Sequence, residues 1–113
     1  FSYTNEGTND IFVINIDGSG RTNLTNHPSA DRNPSWSPDG TKIVFSSDRL
    51  DPSQNRTLDR QIYVMNSDGT GVTRLTHSYP PFADDQPTWS PDGSRIAFNR
   101  GSQIYSMNPD GSD

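Results

Sequence analysis

Two histidines and two aspartates are the residues of this chain best able to do chemistry. His27 and His77 each follow a Leu-Thr pair, and Asp31 and Asp84 each stand just before one of two similar segments. The chain has no cysteine, no Gly-x-Ser-x-Gly nucleophile elbow, no His-Glu-x-x-His zinc motif and no glycine-rich phosphate loop. We therefore predict that the chain is not an enzyme, and we interpret both histidines as solvated or structural loop residues.

The two aspartates allow two interpretations. Carboxylate oxygens are suitable ligands for calcium, so a cation could lie beside Asp31 and Asp84. More simply, each short acidic side chain accepts a hydrogen bond from a neighbouring backbone N–H group. We therefore predict no metal ion and no cofactor.

Charge and hydropathy exclude several classes of partner. The net charge is -5 and no cluster of Lys and Arg occurs, so the basic patch expected of a nucleic-acid-binding protein is missing. No apolar run approaches the ~20 residues that a membrane-spanning helix needs. The sequence therefore predicts neither nucleic-acid binding nor insertion into a membrane.

The distribution of the apolar residues indicates strands. Only 27% of the residues are hydrophobic, so a disordered chain is the first alternative to consider. The apolar residues nevertheless occur in short runs of Ile, Val, Phe, Tyr and Trp that Asp-Gly and Pro interrupt. This pattern is typical of a protein that consists of short strands and tight turns.

An internal repeat sets the size of the structural unit. The segment NPSWSPDGTKIVFSSDR at 33–49 returns as QPTWSPDGSRIAFNRGS at 86–102, and QIYVMNSDGTG from Gln61 returns 42 residues later as QIYSMNPDGSD from Gln103. A unit of about 40 to 45 residues with four strands is one propeller blade. In the middle unit we predict strands at about Pro34–Ser37, Lys42–Ser46, Gln61–Met65 and Val72–Thr76.

The predicted strands are apolar on both faces. In the third of them Ile62 and Val64 face one way, while Tyr63 and Met65 face the other. A sheet of this kind needs a packing partner on each side, and neighbouring blades would supply it. Trp36 and Trp89 would then fill the wedges between adjacent blades.

At these residues the chain resembles the TolB-type, WD-like repeat of bacterial six-bladed β-propellers. The matching motifs are PSWSPDG with IVF at 34–45, its counterpart at 87–98, and QIYVMN with DG and RLT at 61–76. The resemblance implies an all-β fold of antiparallel four-stranded β-propeller blades. Residues 1–29 would be the end of one blade, 30–76 a full blade and 77–113 three strands of a further blade.

A closed propeller needs roughly four to eight blades, so the predicted propeller is incomplete. Either the chain is part of a longer protein, or several copies assemble. Its partners would then include further blades from the same protein or from other copies of the chain.

The resemblance implies a non-catalytic scaffold for protein–protein interaction, periplasmic or secreted, with an envelope lipoprotein or membrane protein as its partner. Two alternatives remain open. One is the propeller domain of a prolyl-oligopeptidase-like hydrolase. The other is a short repeat protein that oligomerises into a closed propeller.

The connections between strands define two rims. The turn rim carries the tight turns Asp17-Gly18, Asp39-Gly40, Asp68-Gly69, Asp92-Gly93 and Asp110-Gly111. The loop rim carries the other connections, which vary in length and chemistry, and binding residues usually lie on such loops. Aromatic residues beside a proline pair and mixed charges make this rim the candidate binding face, although solvated loops would look the same. The candidate residues are Asp31, Arg32, Asp48, Arg49, Asp59, Arg60, Tyr79, Phe82, Asp84, Asp85 and Arg100.

Overall fold

The structure is a computed structural model that describes residues 2–5, 9–49, 60–78 and 81–113, with the backbone alone for 2–5. In these ranges the chain forms strands and no helix, and all paired strands are antiparallel. The predicted all-β class is therefore confirmed. The strands are β1 (Ser2–Asn5), β2 (Asp10–Val13), β3 (Thr22–Asn23), β4 (Asp31–Trp36), β5 (Lys42–Ser47), β6 (Gln61–Asn66), β7 (Thr73–Arg74), β8 (Asp84–Trp89), β9 (Ile96–Arg100) and β10 (Gln103–Met107).

Three sheets follow one another along the described chain. The first contains β1 to β3, the second β4 to β7 and the third β8 to β10, and within each sheet consecutive strands are neighbours. The second sheet, with four strands in up-and-down order, has the layout of one propeller blade. The three described sheets do not close into a ring, as predicted for an incomplete propeller. The division into blades at residues 29 and 76 stays a prediction.

The first strand of each repeat begins earlier than the sequence predicts. β4 starts at Asp31 rather than near Pro34, and its register with β5 shifts between Arg32 and Ser35. The shift is a β-bulge in which Asn33 has φ 54°, and Gln86 has φ 51° at the matching place in β8. A proline follows each bulged residue, and proline has no N–H to donate to a neighbouring strand. Since β4 and β8 lie at sheet edges and need to pair on one side only, each strand can continue past its proline.

The turn at Ser37 to Thr41 shows how the turn rim is held. Gly40 has φ 74°, and its N–H donates to the carbonyl of Ser37 at 2.9 Å. One oxygen of Asp39 accepts from the Ser37 hydroxyl at 2.7 Å and from the Thr41 N–H and hydroxyl at 3.1 and 2.8 Å. These hydrogen bonds, that of Ser37 first, lower the pKa of Asp39 to about 2.

We expect the Asp39 carboxyl to titrate near pH 2 instead of the usual 3.8. Since its pKa is lower in the folded than in the unfolded state, its stabilising contribution is present above pH 3.8 and is lost as the pH falls through about 2. NMR titration of the carboxyl carbon measures this pKa. In the variant Ser37→Ala the pKa should rise, and an unchanged value would contradict the assignment of Ser37 as the main cause.

The hydrophobic core lies between the sheets in two separate clusters. The second sheet contributes to both, because alternate residues of β5 and β6 point to opposite faces. The predicted sheet with two apolar faces, packed on both sides, is thereby confirmed. The cluster between the first and second sheets contains Ile11, Ile43, Phe45, Tyr63 and Met65, and that between the second and third contains Val44, Ile62, Leu75, Ile96, Phe98 and Met107.

The two tryptophans occupy equivalent places in these interfaces. Trp36 packs against the first cluster and Trp89 against the second, and both are partly buried. The wedge positions predicted for them are confirmed. Each indole N–H is buried without a hydrogen-bond partner among the described residues, so the contribution of these side chains comes from packing.

Candidate binding face at the loop rim

Backbone hydrogen bonds join the sheets at the loop rim. The N–H of Asp31 donates to the carbonyl of Asn9 at 2.7 Å, and that of Asp84 donates to the carbonyl of Arg60 at 2.8 Å. Asp48 also links the connection after β5 to the connection before β4, because its carboxylate accepts a hydrogen bond from the Ala30 N–H at 2.8 Å. The loop rim is therefore fixed to more than one sheet in the described residues.

Asp31 and Asp84 lie at this rim but are enclosed by protein. Both side chains are 0% exposed, and each pairs with an arginine. Arg49 reaches the two oxygens of Asp31 at 3.0 and 2.9 Å. Arg100 binds Asp84 in a bidentate manner, at 2.7 Å through Nε and 2.8 Å through Nη2. The hydrogen bond to Asp84 raises the pKa of Arg100 above its usual value.

Each guanidinium also lies over a pair of aromatic rings. Arg49 is 5.3 and 5.2 Å from the ring centroids of Phe45 and Tyr63, which stack at 5.9 Å. Arg100 has the same relation to Phe98 and Tyr105, at 5.4 and 5.1 Å. The arginines therefore link each buried aspartate to the hydrophobic core by cation–π contacts as well as by charge. Among the described residues, no group of three or more His, Cys, Asp or Glu side chains could hold a metal ion.

The pairing of these aspartates with arginines was not predicted from the sequence. Arg100 is the direct cross-strand partner of Asp84, so opposite charges at hairpin-paired positions could have indicated that pair. At the matching place the strand partner of Asp31 is Ser47, and the arginine comes from two residues later. Nε of Arg49 donates to the Ser47 hydroxyl at 3.1 Å, while Nη2 of the same side chain donates to Asp31. No sequence pattern identifies that second arginine.

A polar network crosses from the second sheet to the third. Asp85 accepts hydrogen bonds from the side chains of Asn33, at 2.8 Å, and Arg60. Burial raises the pKa of Asp85, but hydrogen bonds from Ser46, the Gln86 N–H and Asn33, with the charge of Arg60, outweigh it and lower the pKa overall. The carboxylate is therefore charged, and Arg60 beside it remains 40% exposed.

Phe82 is an exposed aromatic residue on the connection that leads into β8. It is 51% exposed, and its ring lies against Gly101, where a Cβ atom would be 3.6 Å away. Its carbonyl accepts from the Ser78 hydroxyl at 3.3 Å. The ring is thus held at the surface by the short connection between β9 and β10.

The candidate residues of the loop rim differ in burial. Arg32, Asp48 and Arg49 are half-buried, and Asp31 and Asp84 are fully buried. Asp59 and Tyr79 lie outside the described residues. His77 is exposed, and His27 accepts a hydrogen bond from the Ser29 N–H at 3.1 Å. The binding roles predicted for the candidate residues of the loop rim stay predictions. The part of the chain that the structure describes contains no helix long and apolar enough to cross a bilayer.

No protein-family model matches the chain, but bacterial proteins are similar in sequence over most of it. The uncharacterized peptidase YuxL of Bacillus subtilis is 32% identical over 79% of this chain and 12% of that protein. An uncharacterized protein of Agrobacterium fabrum is 32% identical over 88% of this chain and 35% of that protein. The Tol-Pal system protein TolB of Geobacter sulfurreducens is 40% identical over 76% of this chain and 18% of that protein. The chain thus spans about a third or less of each relative.

Solved structures show the same likeness. A structure described as TolB from Agrobacterium tumefaciens matches 99% of this chain and 42% of its own, with a TM-score of 0.81 and 27% identity. TolB from Acinetobacter baumannii matches 99% of this chain and 27% of its own, with a TM-score of 0.76; at 23% identity it supports the fold alone. With the repeated motifs and the three consecutive antiparallel sheets, these findings show that the chain has the fold of TolB-type β-propellers and forms an incomplete propeller.

Proposed function

We propose that the chain is part of a non-catalytic scaffold that binds a protein partner with its loop rim. The observation that carries this proposal is the exposed ring of Phe82 on the connection that leads into β8, where Asp85 forms a charged pair with Arg60 and Asp84 is bonded to the second sheet. A rigid aromatic surrounded by charged groups is a common centre of protein interfaces. On the turn rim, by contrast, the aspartates are occupied with their own turns.

The partner that the family suggests is an envelope lipoprotein or membrane protein, in the periplasm or outside the cell. The Geobacter relative is named as a protein of the Tol-Pal system, which favours this setting. The patch that would meet the partner consists of Arg60, Phe82, Asp85 and Arg100. Asp31 and Asp84 would act through the arginines that they hold, since their own carboxylates are enclosed.

Replacing Phe82 by serine tests the binding face. We expect binding of a purified peptidoglycan-associated lipoprotein, measured by calorimetry, to weaken by at least about tenfold, because an exposed aromatic anchor is lost. Ile16→Ser is the matched control, since Ile16 is a fully exposed apolar residue in a turn of the opposite rim. Equal losses in the two variants would contradict the assignment of the loop rim.

The name of one relative favours a second candidate function. YuxL is described as a peptidase, so the chain could belong to the propeller domain of a prolyl-oligopeptidase-like hydrolase. The loop rim or the turn rim would then face a catalytic domain rather than a separate protein. Sequencing the whole gene distinguishes the two, because a Gly-x-Ser-x-Gly elbow after the last blade would support the hydrolase.

A self-assembling repeat protein is the third candidate. The open sheets at both ends of the described row favour it, since copies could cover one another. The native mass of the chain in dilute solution tests this idea. A trimer would supply about six blades and support assembly, whereas a monomer at all concentrations would exclude it.

A further inference from the structure

A groove lies on the turn rim between the second and third sheets. It has a volume of about 350 Å³ and is bordered by the turns that follow β4, β8 and β10. The sheets approach each other closely there, since a Cβ atom on Gly93 would be 3.7 Å from Cδ of Pro38. We call it the turn groove; its lining includes Pro38, Asp39, Lys42, Trp89, Asp92 and Pro109.

The apolar part of the turn groove consists of one aromatic ring and two prolines. Trp89 and Pro109 are half-buried, and Pro38 is exposed. Pro109 distinguishes this groove, because Ser67 stands at the matching place in the turn after β6. Proline side chains lose almost no rotamer freedom when a ligand covers them. The groove therefore offers a flat, rigid surface on which a planar group can stack.

Asp39 and Asp92 place fixed negative charges at this groove. Oδ1 of Asp92 accepts from the Ser90 hydroxyl at 2.7 Å and from the Ser94 N–H and hydroxyl at 3.0 and 2.7 Å. These hydrogen bonds, that of the Ser94 N–H first, lower the pKa of Asp92 to about 2, as in Asp39, so both carboxylates are charged at neutral pH. In both residues Oδ1 makes all the hydrogen bonds of the turn, and Oδ2 accepts none from another described residue. Each turn thus holds a carboxylate in place with one oxygen free.

Lys42 adds one positive charge to the lining. Its Nζ donates to Oδ1 of Asn66, in the same sheet, at 2.6 Å. Two carboxylates and one ammonium leave an excess of negative charge at the groove, and the chain as a whole has a net charge of -5. The charges therefore favour a cationic ligand over an anionic one.

We propose that the turn groove binds the arginine side chain of an extended segment from a partner protein. The planar guanidinium stacks on the Trp89 ring and donates to the free Oδ2 of Asp39 or Asp92. Arginine suits this combination better than lysine, whose ammonium is a compact, strongly hydrated point charge. The volume of about 350 Å³ is at the lower end of the range for small-ligand sites, which fits a side chain. This site is on the opposite rim from the proposed protein-binding face and does not depend on it.

The probe is the peptide N-acetyl-Gly-Arg-Gly-amide, whose single charge is the guanidinium. Added to the isotope-labelled 113-residue chain, it should shift the NMR signals of the Trp89 indole N–H and the Gly93 amide in a saturable manner. The same peptide with lysine in place of arginine should bind at least about threefold more weakly. A peptide with citrulline, which is neutral and of similar shape, should bind at least about tenfold more weakly. These comparisons need no change in the protein.

The variant Asp92→Asn tests the groove from the protein side. Asparagine keeps an oxygen that can accept the hydrogen bonds of the turn, but an NH₂ group replaces Oδ2. Binding of the arginine peptide should weaken by at least about fivefold, because the charge and the free acceptor are both lost. Asp68→Asn is the matched control, since Oδ1 of Asp68 makes the same hydrogen bonds to Thr70 but Asp68 does not line the groove. It should bind within about twofold of the original chain.

The variant Lys42→Gln changes the charge of the groove in the opposite direction. Because it removes the positive charge that repels the guanidinium, the arginine peptide should bind at least as tightly as to the original chain. Weaker binding by this variant would contradict a cationic ligand.

Three further results would each overturn the proposal. The first is the absence of saturable shifts at Trp89 and Gly93. The second is equal binding of the arginine and lysine peptides. The third is an equal loss of binding in Asp92→Asn and Asp68→Asn. None of these measurements involves Phe82, so their failure would leave the proposed function of the loop rim untouched.

Discussion

The variant Asp84→Ala is expected to lose about 3 kcal/mol of unfolding free energy, which urea denaturation would measure. Asp84 is 0% exposed and binds Arg100 through two hydrogen bonds. Its removal leaves the guanidinium beside Phe98 and Tyr105 without its counter-ion. Arg100 is 29% exposed and regains some hydration, so the lower end of the range for broken buried pairs applies.

The double variant Asp84→Leu/Arg100→Met is the control for this interpretation. With both charges removed, no unpaired charged group remains, and apolar side chains of similar volume can pack on the two rings. We expect it to be more stable than Asp84→Ala alone. A double variant that is less stable than the single one would contradict a role of Asp84 as the partner of Arg100.

Phe45→Ala is expected to lower the unfolding free energy by about 4 kcal/mol. Phe45 is 0% exposed in the cluster between the first and second sheets, where it stacks on Tyr63 at 5.9 Å. Its truncation leaves a cavity and removes the ring under Arg49, 5.3 Å from the centroid. Both losses act at the interface that holds the two sheets together.

Phe82→Ala is the matched control, because Phe82 has the same side chain but is 51% exposed. Its stability should change by no more than about 0.5 kcal/mol. Denaturation of the two variants under one condition compares them directly. Similar losses would contradict the view that stability comes from packing between the sheets.

The buried aspartates affect how the loop rim can bind. An enclosed carboxylate that already has a bidentate arginine has no free oxygen for a partner, but it fixes the position of that arginine. Arg100, which is 29% exposed, is therefore presented at the rim in a defined orientation. Binding at this rim would depend on Asp84 indirectly, and a loss of affinity in Asp84→Ala would need to be separated from the loss of stability.

The existence of the strands, the tight turns and the stacking of sheets could be predicted from the residue pattern alone. These features depend on neighbouring residues: the period of two in QIYVM at 61–65, and the Pro-Asp-Gly that follows each tryptophan. A sheet that is apolar on both faces can be recognised in such a stretch without knowing the rest of the chain. The repeat then gave the size of the unit.

The environment of the candidate residues could not be predicted in the same way, because it depends on contacts between distant parts of the chain. Asp31 and Asp84 occupy equivalent repeat positions, yet their arginines come from different ones, Arg49 and Arg100. The bulges at Asn33 and Gln86, which carry each strand on to its aspartate, depend on register with the next strand. Such contacts are set by how loops and strands meet in space, because a side chain of arginine length can reach the same carboxylate from more than one position in the chain.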